Sequence, residues 1–411
     1  MSGWDAILDN ARRRDAADPL RHLRDRFELP EGVVYLDGNS LGPLPTAARA
    51  VVADAAGRQW GEGLIRSWTA EDWIDAPRRV GAKIAPLLGA APDEVVVADS
   101  VSVNLFKMLT ALVRLNPQRW RIVTEAGNFP TDLHVAAGVA ESLGLELVSV
   151  PRGEVLGRLD DRVSSLLLTH VHYRTGERFD MRAVNAAAAA AGVPVLWDLS
   201  HSVGAVPLDL PGEGAEYAVG CGYKYLNGGP GAPAFLYASR HRRDALRPAL
   251  QGWMGDADPF AFRDGYTPAA GMDRFRVGTP PVLSLLALEA GVETFGGVAM
   301  TDVWAKSSAL FDWFAGLMTD HCPDFRLLTP REPSARGSHI SFAHPNAWPV
   351  NNALIERGVI GDFRRPDVLR LGLTPLYTRF ADVAAAVRHL AEIVETGAWR
   401  AERFNRASRV T

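Results

Sequence analysis

The chain has 411 residues, 47% of them hydrophobic and 22% charged, with a formal net charge of −4. That length exceeds one ordinary core, so two domains are expected. The slightly acidic balance gives no electrostatic footprint for nucleic acid, and without an apolar run of about 20 residues no membrane-spanning helix is expected.

The start, Met1-Ser2-Gly3-Trp4-Asp5, lacks the positive beginning and apolar centre of a signal peptide. Arg12-Arg13-Arg14 is flanked by Asp9 and Asp15 and reads as a solvated helix face. Short apolar runs predict buried strands at 95–98, 121–124, 145–148, 165–168 and 194–197, with two later ones at 218–221 and 234–237. Helices are predicted between them, over 103–115, 131–143 and the alanine-rich 181–191. This alternation argues for a mainly parallel sheet with helices on both faces. Gly278-Thr279-Pro280-Pro281 breaks the pattern, and helices follow at 282–295 and 302–319. Strands at 326–328, 338–342 and 368–371, then a closing helix over 380–396, read as a smaller α+β domain. Two cysteines, Cys221 and Cys322, make no disulfide framework and fit a reducing cytoplasm.

The chemistry concentrates on Lys224. It sits in Gly222-Tyr223-Lys224-Tyr225-Leu226-Asn227, and Asp198 ends an apolar strand earlier in the chain. A lysine hemmed in by glycine, tyrosine and apolar residues is poorly solvated as an ammonium and becomes a competent amine for a Schiff base. An aspartate at a strand end can hold a pyridine nitrogen protonated. Together they describe the lysine and aspartate partners of pyridoxal phosphate, PLP. Asp99-Ser100-Val101-Ser102 passes from strand to helix, where free N–H groups form an anion site. Ser102 is read as a helix cap, a phosphate contact, or both. His170 and His172 flank a strand end, but no third ligand has metal spacing, so no metal is expected. P-loop and dinucleotide glycine patterns are absent. Arg370, amid Leu369, Leu371 and Leu373, needs an anionic partner. A bidentate substrate carboxylate and a structural ion pair both satisfy that need.

These residues resemble the kynureninase family of fold-type-I PLP enzymes. The resemblance rests on Tyr35-Leu36-Asp37-Gly38-Asn39-Ser40-Leu41-Gly42, Phe129-Pro130-Thr131-Asp132, Asp198-Leu199-Ser200-His201-Ser202 and Tyr223-Lys224-Tyr225-Leu226-Asn227. Gly252-Trp253-Met254-Gly255, Gly278-Thr279-Pro280-Pro281 and Thr374-Pro375-Leu376-Tyr377 continue it. It covers about residues 30 to 395 and implies an α/β fold. A large domain would carry a mainly parallel seven-stranded sheet, with a smaller α+β domain at the C-terminus. The implied division is an N-terminal segment over 1–50 packing with the small domain, a PLP-binding domain over 51–285 and a small domain over 286–411. The implied activity is cleavage of L-kynurenine, or its 3-hydroxy form, by a cytoplasmic homodimer. A related PLP enzyme acting on a modified kynurenine is the alternative. A desulfurase is disfavoured, because it needs a mobile catalytic cysteine.

The resemblance also implies residue roles. Lys224 would bond the cofactor covalently, Asp198 would face its pyridine nitrogen and Phe129 would stack on its ring. Tyr223 would transfer protons. Val101, Ser102, Asp132, His201 and Tyr223 would line the cofactor, with Trp253 and Thr279 reaching its phosphate from the neighbouring subunit. Arg370 would grip the substrate carboxylate, with Asn39, Trp68 and Asp256 on the substrate side. Two positions depart from the family pattern. Asp256 stands where histidine is usual, and His172 where asparagine or aspartate is usual. Both put the substrate's aryl group in question.

Overall fold

The structure, a computed structural model, describes residues 3–406. Residues 1–2 and 407–411, the ends of the first and last expected domains and the site of part of the signal-peptide reading, lie outside them.

Seven strands form the large sheet: β1 (Val95–Val97), β2 (Arg121–Glu125), β3 (Glu146–Val150), β4 (Val163–Thr169), β5 (Val195–Asp198), β6 (Tyr217–Gly220) and β7 (Phe235–Ala238). Their spatial order is β1-β7-β6-β5-β4-β2-β3. All neighbours run parallel except β7, which is antiparallel to both β1 and β6. Alternate residues feed opposite faces. Leu166 and Leu168 enter one core with Trp197 and Phe235, while Leu167 enters the other with Leu196 and Leu236. Both faces of β1, β5, β6 and β7 are buried, which is why these strands read as near-continuous apolar runs, whereas the edge strand β3 keeps Glu146 and Ser149 exposed.

Local signals set the flanking helices. They are α1 (Gly3–Ala17), α2 (Thr46–Asp54), α3 (Ala76–Ile84), α4 (Val101–Val113), α5 (Pro130–Leu143), α6 (Met181–Ala190), α7 (Val282–Glu293), α8 (Met300–His321), α9 (Ala347–Glu356) and α10 (Phe380–Thr396). Proline opens α5, and Gly144 in the left-handed region ends it. Asp180 caps α6 by accepting from the Ala183 N–H.

The second sheet is antiparallel: β8 (Arg326–Leu327), β9 (His339–Ala343), β10 (Asp362–Arg364) and β11 (Val368–Gly372), in the order β8-β9-β11-β10. Its core includes Leu310, Phe314, Ile340, Leu369 and Val387, and the change of core falls within α8, whose Val303 belongs to the large core. Ala11 and Leu36 join the small core, and Val34–Tyr35 pairs in parallel with Val359–Ile360. That pairing brings the N-terminal signature to the site. Gly42 then packs on the Lys224 turn, its N–H donating to the Tyr223 carbonyl at 2.8 Å. A Cβ at Gly42 would lie 2.6 Å from the Lys224 carbonyl oxygen, so a side chain there would push the turn away.

Candidate active site

A cavity of about 560 Å³ opens at the carboxyl ends of β4, β5 and β6, where ligands bind in open α/β sheets. Val101, Ser102, Phe129, Asp132, Asp198, His201, Tyr223 and Lys224 all line it. Thr169 and Asp198 are register partners across β4 and β5. Thr169 donates to Asp132 Oδ2 at 3.0 Å, so three strand-end and helix-start groups share one wall. Lys224 Nζ is 3.0 Å from His201 Nε2 and 5.7 Å from the Phe129 ring centre. Phe129 meets Tyr173 edge-to-face at 5.3 Å.

The electrostatics follow from burial. Desolvation raises the Asp198 carboxyl, while two hydrogen bonds from Ser200, at 2.8 and 2.6 Å, and the Lys224 charge oppose the rise. Asp132 is pushed far up by burial and by Asp198, and its Oδ1 has no protein partner. Burial, Lys224 and Arg370 hold His201 well below the usual histidine range, so it is neutral, and its Nδ1 also lacks a partner. Neighbouring Cys221, burial and Asp198 raise the Tyr223 phenol, which keeps its proton at neutral pH.

Ser100, not Ser102, caps α4, its Oγ accepting from the Val103 N–H. The capping reading of Ser102 is corrected, because Ser102 lies inside the first turn. Ser102 lines the cavity, and its hydroxyl makes no hydrogen bond among the described residues. The preceding Asp99 has φ +50°, an uncommon backbone state for a residue with a side chain. Fully buried Lys107 holds it there, donating to Asp99 Oδ2 at 2.7 Å and to the Phe275 carbonyl at 2.6 Å. Sequence reasoning missed Lys107, since a lysine inside a helix carries no signal of burial.

Arg370 lies behind Tyr173 and is 1% exposed. Its Nη1 donates to the Tyr173 carbonyl. Its Nε and Nη2 grip Asp362, with Nε–Oδ1 at 2.9 Å, and Nη2 also reaches Ser40 at 2.9 Å. The bidentate edge expected for a substrate carboxylate is therefore occupied by Asp362. Asp362 was not foreseen. It faces Arg370 only through the β10–β11 register, which the sequence does not display. Asn39 is fully buried beside Gly372, and neither of its amide atoms has a protein partner. His339 of β9 was also missed. It is fully buried, its ring centre 5.4 Å from that of His201, with both nitrogens unpartnered.

The remaining expected residues are not brought to this cavity within one chain. Trp68 packs edge-to-face on Trp73 at 6.0 Å. Thr279 is exposed, and Trp253 is 40% exposed beside the more open Phe260 and Phe262. Asp256 closes its own loop, accepting from Asp258 N at 2.9 Å, Thr267 N at 2.7 Å and Arg263 at 3.1 Å. His172 is likewise satisfied, with Nε2 on the Gly127 carbonyl at 3.0 Å and Nδ1 near Thr175. It pins the turn that carries Phe129. Gly38-Asn39-Ser40-Leu41-Gly42 spells the Gly-x-Ser-x-Gly string of a hydrolase elbow. Ser40, however, bonds Asp362 and arginines, and no histidine contacts it among the described residues.

The curated protein named kynureninase from Deinococcus radiodurans is 50% identical over 389 residues, which is 93% of this chain and 95% of that protein. The chain belongs to the kynureninase family. A kynureninase of Burkholderia mallei is 47% identical over 407 residues, covering 97% of this chain and 98% of the relative. The kynureninase C-terminal domain family matches residues 303–390. Among solved structures, the Escherichia coli cysteine desulfurase CsdA superposes with a TM-score of 0.77 at 21% identity, covering 92% of this chain and 98% of that one. A C-DES mutant with glycine covalently linked to its PLP cofactor gives 0.79 at 17% identity, covering 90% and 99%. These likenesses establish the PLP fold-type-I architecture. No helix among the described residues is long and apolar enough to cross a membrane, and no group of three or more metal-ligating side chains occurs among them.

Proposed function

We propose that this chain hydrolyses the Cβ–Cγ bond of L-kynurenine, or of its 3-hydroxy form, to L-alanine and the matching anthranilate, with PLP as cofactor. The observation that carries this is the Lys224 amine in one cavity with Asp198, Phe129 and the start of α4. The residues fit the cofactor. An amine, an aromatic plate, a strand-end carboxylate and a helix N-terminus surround one space, and the partnerless Asp132 Oδ1 and His201 Nδ1 await polar partners.

Lys224 would hold PLP, Asp198 would face its ring nitrogen, and Val101 and Ser102 would meet its phosphate. When bound, PLP supplies the electron sink for charge left at Cα. Lys224 Nζ, freed when the substrate amine takes its place, would take the Cα proton, and neutral His201, its Nε2 3.0 Å away, holds the lysine amine in place. The protonated Tyr223 phenol delivers a proton at the γ-oxygen as water adds there. Phe129 and Tyr173 wall that side of the cavity. Arg370 offers the α-carboxylate one N–H. Of its five donors, Asp362, Ser40 and the Tyr173 carbonyl engage the rest.

The proposed assembly is a homodimer. Trp253 and Thr279 have no place in their own chain's cavity, and Trp253, Phe260 and Phe262 are 40%, 59% and 77% exposed, a surface suited to a second copy. The two buried free cysteines suit a cytoplasmic location. Incubation with each kynurenine, with products identified by mass, tests the reaction. Equimolar alanine and anthranilate are expected, and a keto acid or sulfur transfer would overturn it.

A further inference from the structure

Four charged side chains meet behind Tyr173: Asp37, Asp362, Arg364 and Arg370. Fully buried Asp362 is ion-paired to both arginines, with Arg364 Nη2 at 2.7 Å, and also accepts from Ser40 at 2.8 Å. These partners hold Asp362 below the usual carboxylate range against its own burial. Asp37 differs. It makes no ion pair among the described residues, and its Oδ1 is buried without a partner. The groups facing it are Asp362 and Arg364 of β10, Arg370 of β11, Ser40 of its own turn, and the phenols of Tyr35, Tyr225 and Tyr377.

Two carboxylates against two guanidiniums sum to zero. The neutral cluster is buried at Asp362 and Arg370 and half-buried at Asp37 and Arg364; it has no surplus charge to attract another carboxylate, and adding one uncompensated anion beside its buried half is costly. One acid must therefore be neutralised. Asp362 cannot be that acid, because both arginines grip it. We propose that Asp37 takes up one solvent proton when the substrate α-carboxylate docks at Arg370, keeping the cluster's net charge unchanged. The inference rests on the reading of Arg370 as the carboxylate-binding residue. Burial and the Asp362 charge already push Asp37 up to about 7, so this proton is within easy reach at neutral pH. Below that value Asp37 is protonated before binding and the site carries one positive charge. Above it, each pH unit makes the proton about tenfold scarcer, and carboxylate affinity should fall about tenfold per unit.

The test uses the holoenzyme and 4-(2-aminophenyl)-4-oxobutanoate, which keeps the carboxylate and aryl ketone but has no amine to react with the cofactor. Titration calorimetry in buffers of different ionisation enthalpy reads the protons taken up. At about pH 8 close to one proton is expected per analogue bound, with affinity falling toward higher pH. The methyl ester of the analogue should bind without uptake and without that pH dependence. Asp37→Asn should bind the acid with no uptake and a flat profile. No uptake by the wild-type holoenzyme, or unchanged uptake in Asp37→Asn, overturns the proposal. The Arg370 reading fails separately: if Arg370→Met binds the acid as tightly as wild type, the carboxylate docks elsewhere and the proposal falls with it.

Discussion

Replacing Arg370 by methionine keeps most of the side-chain volume and removes the guanidinium. Asp362 then loses two N–H donors in a site where both side chains are almost wholly buried, 2% and 1% exposed. Solvent screening is negligible there, and breaking a buried pair costs about 3–5 kcal/mol. Arg364 and Ser40 still hold Asp362, which places the loss near the lower end of that range. The Tyr173 carbonyl also loses its donor, about 1 kcal/mol more. The expected loss for Arg370→Met is therefore about 4 kcal/mol. Changing Asp362 to asparagine as well removes the stranded charge, so the double variant should recover at least about 1 kcal/mol of it. Urea unfolding of the wild type, both single variants and the double variant, followed by tryptophan fluorescence and by circular dichroism, gives the cycle. A single variant within about 0.5 kcal/mol of wild type, or a double variant no better than the single, would refute the ion-pair account.

Other outcomes are expected. Lys107→Met should weaken PLP affinity at least about tenfold by releasing Asp99 and the start of α4, read by cofactor titration of the apoprotein; unchanged affinity would mean that Asp99 needs no anchor. Tyr223→Phe should lower kcat about 10²-fold or more with little change in cofactor binding, and a kcat within about twofold of wild type would remove Tyr223 from the proton path. Because burial, Lys224 and Arg370 keep His201 neutral, kcat should show no step near pH 6.5 that His201→Asn abolishes; such a step in the pH profile would contradict its neutrality. Asp256→His should leave the ratio of kcat/KM for kynurenine and 3-hydroxykynurenine within about twofold, since Asp256 is bound within its own loop, and a larger shift would place it at the substrate.

All seven strands of the large sheet were legible, because burial on both faces leaves apolar runs such as Val95–Val97 and the Leu166-Leu167-Leu168 centre of β4. Lys224 and Asp198 were legible for a related reason, each standing out against apolar or glycine neighbours. The misses have a different physics. Strand β10, Asp362–Arg364, has three residues with charges at both ends, so nothing in its pattern separates it from a loop. Helix α9 carries Pro349 in its first turn, which reads as a break although proline is tolerated there. The partner of Arg370 depends on cross-strand register, and the approach of His339 to His201 depends on the docking of one domain against the other. Ser100 and Ser102 differ by two positions, and only the backbone angles decide which one caps the helix. Trp253 and Thr279 are exposed in one chain, so the expectation that they reach a cofactor phosphate requires a second copy.

The most direct test of the central claim is turnover of L-kynurenine in ¹⁸O-labelled water by the wild type and by Lys224→Ala. The wild type should release alanine and anthranilate in equal amounts, with labelled oxygen in the anthranilate carboxylate, and Lys224→Ala should release neither over multiple turnovers. Anthranilate without label, or sustained turnover by Lys224→Ala at the wild-type rate, would contradict hydrolysis at the γ-carbonyl dependent on this lysine.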